Sequence, residues 1–253
     1  MKNWTRIITF ALALVLAFSL VSCNGEGEET SSGDVAASVT PDKRVAITFD
    51  DGPHNVRTRA IVDELAKYNF NGTFFVVGNR VDGTEMNCAE TVRYIIDNGN
   101  EVGIHGYTHN VYYNSCSDED YKYELNQTKT AITDAASGYN VSLMRPIGGA
   151  ISQERAENCE YAVIMWDVDS LDYEHRYSSS DAEDAQTKRD TIVENVMSQV
   201  KDGSIILMHD IYQSTVDATA IILKRLYEEG YDVVTVSELI GDVEAGVKYF
   251  NAK

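Results

Sequence analysis

The sequence has no Cys-x-x-Cys pair, and four scattered cysteines, Cys23, Cys88, Cys116 and Cys159, do not make a thiolate metal site. It is short of cations. Lys and Arg number 21 against 40 Asp and Glu, a formal charge of −19. A surface this acidic repels phosphate backbones and anionic membrane faces, so no nucleic-acid partner is expected, whereas neutral or cationic polymers remain open. No internal repeat or second domain is visible. The one long apolar run, Ile7 to Val21, is too short for a comfortable bilayer span. With Lys2 and Arg6 ahead of it, that run reads as an export signal over residues 1–22.

The signal ends in Leu20-Val21-Ser22-Cys23, which resembles the lipobox of bacterial lipoproteins and implies acylation at Cys23. Residues 23–43 then read as a flexible tether, because Gly, Ser, Thr and Glu bury too little apolar surface to offset their ordering entropy. The expectation is a lipoprotein on the extracytoplasmic side of a bacterial cell, touching the membrane only through that anchor, and monomeric. An exported chain can oxidise its remaining thiols. One bridge plus one free thiol is the simplest arithmetic. Cys88–Cys116 is the expected pair, since Cys159 borders the apolar run Tyr161 to Trp166 and reads as a buried thiol.

Residues 44–253 are enough for one domain with a sizeable core. The opening run Val45-Ala46-Ile47 is a strand that stops at Asp50-Asp51-Gly52-Pro53. Val56–Tyr68 follows with near-helical apolar spacing, and Thr73–Val77 is a second buried strand. The same alternation continues through strands at 101–104, 141–144, 161–165, 204–208 and 231–235, with helices expected over 89–98, 118–136, to Lys201, and 215–229. Connections of this length predict a parallel sheet in an α/β, barrel-like fold of about seven strands.

The residues able to do chemistry recur just beyond strand carboxyl ends: Asp50 and Asp51, His105 and His109, Arg145, Asp169 and Asp172, His209. In a parallel barrel those ends open on one face. Neighbouring side chains point to opposite sides of a strand, so of Asp50 and Asp51 one can bind a cation while the other stays free as a base. His105 and His109 are four apart, and a helical turn at the strand end would bring them to one side. Two imidazoles and a carboxylate suit a divalent transition metal with open positions for water and substrate, zinc by default, with cobalt or nickel fitting the same ligands.

Taken in order, Thr48-Phe49-Asp50-Asp51-Gly52-Pro53, His105-x-x-x-His109, Arg145-Pro146, Trp166-Asp167-Val168-Asp169-Ser170-Leu171-Asp172 and Leu207-Met208-His209 resemble the polysaccharide deacetylases with a NodB homology domain, carbohydrate esterase family 4. The resemblance runs from about Arg44 to Leu239 and implies a distorted (β/α) barrel as a single catalytic domain. It implies that Asp51, His105 and His109 bind the metal and that Asp50 is the general base, paired with Arg145. It makes His209 the general acid, oriented by Asp172. Leu207 would receive the acetyl methyl, and a backbone N–H near Gly148 would help hold the oxyanion. Tyr173 stands where the family often has Trp, Gly106 where it usually has Ser or Thr, and Ile147-Gly148-Gly149 where many members have an aromatic.

The implied activity is metal-dependent N-deacetylation of a polysaccharide containing N-acetylglucosamine, with peptidoglycan first. An O-acetyl esterase acting on xylan is the rival on the same fold, and a silent glycan-binding lipoprotein the rival of another class. His54 and His175 read as turn and surface residues, Asp167 and Asp169 as loop acids, and Asp210 as a cap. Tyr107, Tyr112, Tyr113 and Tyr121 read equally as a sugar groove or a loop surface.

Overall fold

The computed structural model describes residues 43–180 and 182–253; the expected export signal, Cys23 and nearly all of the tether lie outside them. In chain order the elements are β1 Lys43–Asp50, α1 Arg57–Ala66, β2 Thr73–Val76, α2 Gly78–Val81, α3 Ala89–Asp97, β3 Glu101–Ile104, α4 Asp118–Ala135 and β4 Leu143–Met144. A 3-10 turn at Ile147–Gly149 leads to α5 Gln153–Glu157, β5 Ala162–Ile164, β6 Val168–Asp169, α6 Ala185–Met197, β7 Ile205–His209, α7 Gln213–Glu228, β8 Tyr231–Val233, α8 Val236–Ile240 and β9 Lys248–Tyr249. Every pair of named strands is parallel, in the order β6-β7-β1-β2-β3-β4-β5-β9, with β8 beside the start of β1. Past β9, Asn251 bridges Ser204 antiparallel and Ala252 N–H donates to Gly203. The sheet thus curls toward closure without completing a parallel ring, which is the distorted α/β barrel expected, as one domain.

β1 is buried from Val45 to Asp50, which is why it reads as a continuous apolar run rather than an alternation. The period of two still sorts its side chains. Val45, Ile47 and Phe49 belong to the large layer beneath the helices, where Phe49 stacks on Phe74 at 5.0 Å. Ala46 belongs to the smaller inner cluster with Phe75, Leu143, Ile164 and Ile205. Thr48 and Asp50 share the parity of Ala46 and point inward.

Long helices start where local chemistry favours it. Ser117 caps α4, accepting from Asp120 N–H, and Asp118, Glu119 and Asp120 place negative charge at the amino end. The His54 ring, in keeping with a turn role, accepts from Val56 and Arg57 N–H ahead of α1. Val56 itself, expected on the apolar face of that helix, is 71% exposed at its N-cap.

The Cys88–Cys116 bridge does not form; all three described cysteines are free. Cys88 is fully buried at the start of α3, whereas Cys116 Sγ sits 3.1 Å from Arg155 Nη1 in the loop before α4. Counting thiols carries no information about distance, and the two belong to different neighbourhoods. Cys159 is buried, as its apolar flank suggested. His175 is half-buried rather than fully exposed.

Candidate active site

The inward parity established for β1 recurs at each strand end. In β7, Ile206 and Met208 face the helices, so Leu207 and His209 face inward. In β3, Val102 and Ile104 face the helices and His105 follows on the inner side. Met144 and Val168 do likewise, turning Arg145 and Asp169 inward. Register finishes the placement, because Asp50 on β1 lies directly beside His209 on β7. Asp50, His105, Arg145, Asp169 and His209 therefore meet at one rim.

Asp51 turns out of the strand with φ 71°, bringing its carboxylate over the histidines. Its Oδ1 lies 3.4 Å from His105 Nε2 and 2.8 Å from His109 Nε2, and the three ligand atoms fall within 4.8 Å of one another. The helical turn expected between the histidines is absent. Gly106 at φ 84° and His109 at φ 59° fold the segment as an irregular loop, which brings the imidazoles to 5.4 Å between ring centroids.

The donor chemistry fits a cation. His105 Nδ1 is 2.9 Å from the carbonyl oxygen of Arg145, which can only accept, so Nδ1 carries the proton and, in the neutral form that a metal takes, Nε2 presents a lone pair on the side of Asp51. Asp51 Oδ1 is buried with no hydrogen-bond partner of its own. Two electron-pair donors turned on each other in a buried site call for a positive charge between them.

Asp50, 3% exposed, accepts from Arg145 Nη1 at 2.9 Å. Arg145 is wholly buried. Its Nη1 also donates to Thr48 Oγ1, its Nε to Ile164 O and its Nη2 to Met165 O, while its guanidinium lies 4.4 Å from the Phe75 ring centroid. The cation is held in one orientation and keeps Asp50 in the company of positive charge. On the other wall Asp172, also wholly buried, receives His209 Nδ1–H at 2.7 Å on one oxygen. Its other oxygen accepts from His209 N–H and Thr215 Oγ1. Burial alone would lower the His209 pKa, but the Asp172 hydrogen bond and charge outweigh it and push it up to about 9. The ring is thereby a held acid with Nε2 turned to the cavity.

That cavity, 290 Å³, is walled by Asp50, Asp51, His105, His109 and His209 with Leu207 and Gly148, while Arg145 and Asp172 stand behind the wall. Gly148 has φ 58°, a backbone few side chains tolerate. The turn uses Gly149 N–H for Pro146 O and Ala150 N–H for Ile147 O, and neither bond takes the N–H of Gly148. Tyr173, 38% exposed, stands edge-on to His209 at 5.7 Å. Of the four tyrosines read as groove or surface, Tyr112 lines the cavity, while Tyr107 and Tyr113 are buried. Asp169 also lines it, whereas Asp167 ties Ile205 N–H as a loop acid.

Two neighbours escaped the sequence reading. Thr48, directly behind Asp50, looks in sequence like any β-branched strand residue. Tyr212, 6.0 Å from the His209 ring, follows the last motif by three residues and has no spacing signal of its own.

Comparison with known proteins agrees with this geometry. The family model described as Polysaccharide deacetylase matches residues 37–164. The chain is 39% identical over 203 residues to the peptidoglycan-N-acetylmuramic acid deacetylase PdaC of Bacillus subtilis, covering 80% of this chain and 40% of that protein. It is 32% identical over 210 residues to the peptidoglycan-N-acetylglucosamine deacetylase PgdA of Listeria monocytogenes, covering 83% and 41%. The chain thus spans about two fifths of the length of these curated relatives. The solved structure of PdaC matches with TM-score 0.68 at 38% identity, covering 79% of this chain and 92% of that one. A family 4 acetyl xylan esterase from Clostridium thermocellum, solved with a cobalt ion, matches with TM-score 0.71 at 29% identity, covering 83% and 98%.

Proposed function

The chain belongs to the polysaccharide deacetylase family, and on that premise we propose that it hydrolyses the N-acetyl groups of peptidoglycan amino sugars, N-acetylglucosamine first. Asp51, His105 and His109 hold a divalent ion, zinc in this reading, with cobalt or nickel accepted by the same donors. Such an ion supplies Lewis acidity to the acetamide carbonyl and lowers the pKa of water. Asp50, held by Arg145, takes the proton of the attacking water. His209 delivers a proton from Nε2 to the departing amine nitrogen, a poor leaving group that needs one, and Asp172 fixes the ring for that transfer. Leu207 meets the acetyl methyl, the N–H of Gly148 donates to the developing oxyanion, and Tyr173 forms part of the sugar-contacting wall.

The observation that carries this reading is the facing pair of lone-pair donors, Asp51 Oδ1 and His105 Nε2 at 3.4 Å, flanked on one rim by Asp50–Arg145 and His209–Asp172. The test is acetate release from peptidoglycan, N-acetylglucosamine oligomers and acetylated xylan by chelator-treated protein resupplied with zinc or cobalt. Metal-dependent release from the amides, abolished in Asp50→Asn, is the expected result. Release from xylan alone would replace this reading with the esterase one that the Clostridium thermocellum match favours. No release from any acetylated glycan by fully loaded protein would leave a binding role.

A lipid on Cys23 would keep the enzyme at the outer membrane face beside the wall. The support is the Leu20-Val21-Ser22-Cys23 pattern after an apolar run. In a bacterial host, Cys23→Ser is expected to move the protein out of the membrane fraction; unchanged fractionation would remove the anchor.

A further inference from the structure

Glu124 on α4 breaks the pattern of its own helix. The buried face of α4 is otherwise Leu125, Thr128, Ala131, Ile132 and Ala135, yet Glu124 is 1% exposed. A carboxylate taken that far out of water costs several kcal/mol unless donors surround it. All of its donors come from a single loop. Oε2 accepts from Tyr107 N–H at 2.6 Å and Thr108 N–H at 3.0 Å, and Oε1 accepts from Thr108 Oγ1 at 2.7 Å. Those two residues lie between His105 and His109.

The carbonyl side of the same two peptides is held by α2, Gly106 O accepting from Gly78 N–H and Tyr107 O from Asn79 N–H, both at 3.0 Å, so that Glu124 supplies the hold on their N–H side. Gly106 sits at φ 84°, and a Cβ there would meet Tyr113 Oη at 3.0 Å, Glu124 Oε2 at 3.1 Å and Ile147 Cδ1 at 3.2 Å. Residue 106 is therefore barred from carrying a polar side chain of its own, and Glu124 occupies the space where one would project. Two successive N–H groups converging on one oxygen complete, with those carbonyl bonds, the orientation of both peptide planes, and with them the Cα position from which His109 reaches Asp51. His105 is fixed independently through Arg145 O, so His109 is the ligand whose place depends on the loop.

We propose that Glu124 is a positioning residue of the metal site, holding the N–H side of the 106–108 segment so that His109 Nε2 meets the same point as Asp51 and His105. This rests on the metal-binding role given to those three residues above, and the test separates the two. Zinc affinity is measured by competition with a chromophoric chelator on folded, metal-stripped protein, with unfolding midpoints of each stripped variant measured alongside. Glu124→Ala is expected to weaken binding about 10-fold to 100-fold, the range for outer partners that orient ligands, while Glu124→Gln stays within about threefold. Gln keeps all three contacts, accepting from both N–H groups and donating to Thr108 Oγ1. Thr108→Val, which loses one bond of the three, is expected to fall between.

Wild-type affinity in Glu124→Ala would overturn the proposal, as would a Glu124→Gln variant that binds as weakly as Glu124→Ala. Should Glu124→Ala fail to fold, wild-type affinity in Thr108→Val would overturn it. A wild-type protein that binds no divalent ion would instead sink the function from which the proposal starts.

Discussion

His209 is an imidazole pulled two ways, by burial toward neutrality and by Asp172 toward charge, and Asp172 prevails, pushing its pKa up to about 9. In the proposed role of proton donor it works only while protonated, so kcat/KM on an amide substrate should fall as pH rises through about 9. Asp172→Asn removes the charge and should draw that limb down toward the ordinary histidine value of 6.5, with a loss at pH 8 of about tenfold or more. A pH–rate profile on an N-acetylglucosamine oligomer reads it, and an unmoved limb would assign the proton to another group. The same pair affects stability. Since the folded pKa lies above the unfolded one, its contribution is complete below pH 6.5 and is lost as pH rises through about 9. Asp172→Asn should therefore lower the urea midpoint more at pH 6 than at pH 10. A second residue-scale case is Gly52, where an added Cβ would lie 2.3 Å from both carboxyl oxygens of Asp210. Asp210 is fully buried, with burial pushing its pKa up to about 7, and Thr58 Oγ1 bonds it at 2.5 Å, so it has no room to withdraw. Gly52→Ala should cost about 1–3 kcal/mol in a denaturant melt, much of it relieved in a Gly52→Ala/Asp210→Ala double variant. Additive losses would show that the contact is not the cause.

At the scale of elements, what was legible in the sequence was whatever repeats over a long enough stretch. β1 carries a continuous apolar run and α3, α4 and α7 carry apolar residues at the helical period, and all four were bounded within about two residues of their observed ends. The two-residue strands β6 and β9 cannot be recognised by period, and their existence depends on neighbours supplied by the rest of the sheet, whereas β4 is the latter half of the strand expected at 141–144. The site was legible for a related reason. Asp50, His105, Arg145 and His209 each terminate a strand, and strand ends in a parallel sheet share one rim. What failed was conformation between motifs, since the loop from His105 to His109 takes its shape from a glycine backbone and from Glu124, neither of which a spacing of four encodes. The loop at 110–117 poses the same problem, and Arg155 on α5 answers it. Its guanidinium donates to Tyr113 O, Cys116 O and Asp118, tying to the body of the fold the loop whose Tyr112 lines the cavity. Arg155→Ala should raise KM several-fold while leaving kcat and zinc affinity near wild type, and Arg155→Lys should restore little, because one ammonium cannot reproduce a fork. Steady-state kinetics on an oligomer decides it. A drop in kcat with KM unchanged would mean that the loop acts on the chemistry rather than on the sugar.

For the molecule as a whole, the proposed metal site would also be a staple. Asp51 comes from the end of β1, and His105 and His109 come from the end of β3, so an ion held by all three ties two strand ends across β2. Binding only to the folded chain adds about 2.7 kcal/mol at a free-metal concentration 100 times Kd, which for a domain of this size is about 5–10 °C in Tm. A thermal melt after chelation should drop by that amount and recover on adding zinc. An unchanged melt would place the three side chains outside a common ion.

The net charge of −19 acts at longer range than any of these contacts. An anionic wall polymer approaching such a surface meets repulsion that extends over a Debye length, about 10 Å at 0.1 M salt, and this slows encounter without touching the chemistry. Raising NaCl from about 20 to about 150 mM should therefore increase kcat/KM on an anionic wall preparation several-fold and leave a neutral N-acetylglucosamine oligomer within about twofold. The neutral substrate is the control that separates encounter from catalysis, because salt acting on the metal, the Asp50–Arg145 pair or His209 would alter both rates together. A rate on the anionic polymer that falls with salt would show that a local cationic patch, and not the overall charge, governs how the wall is met.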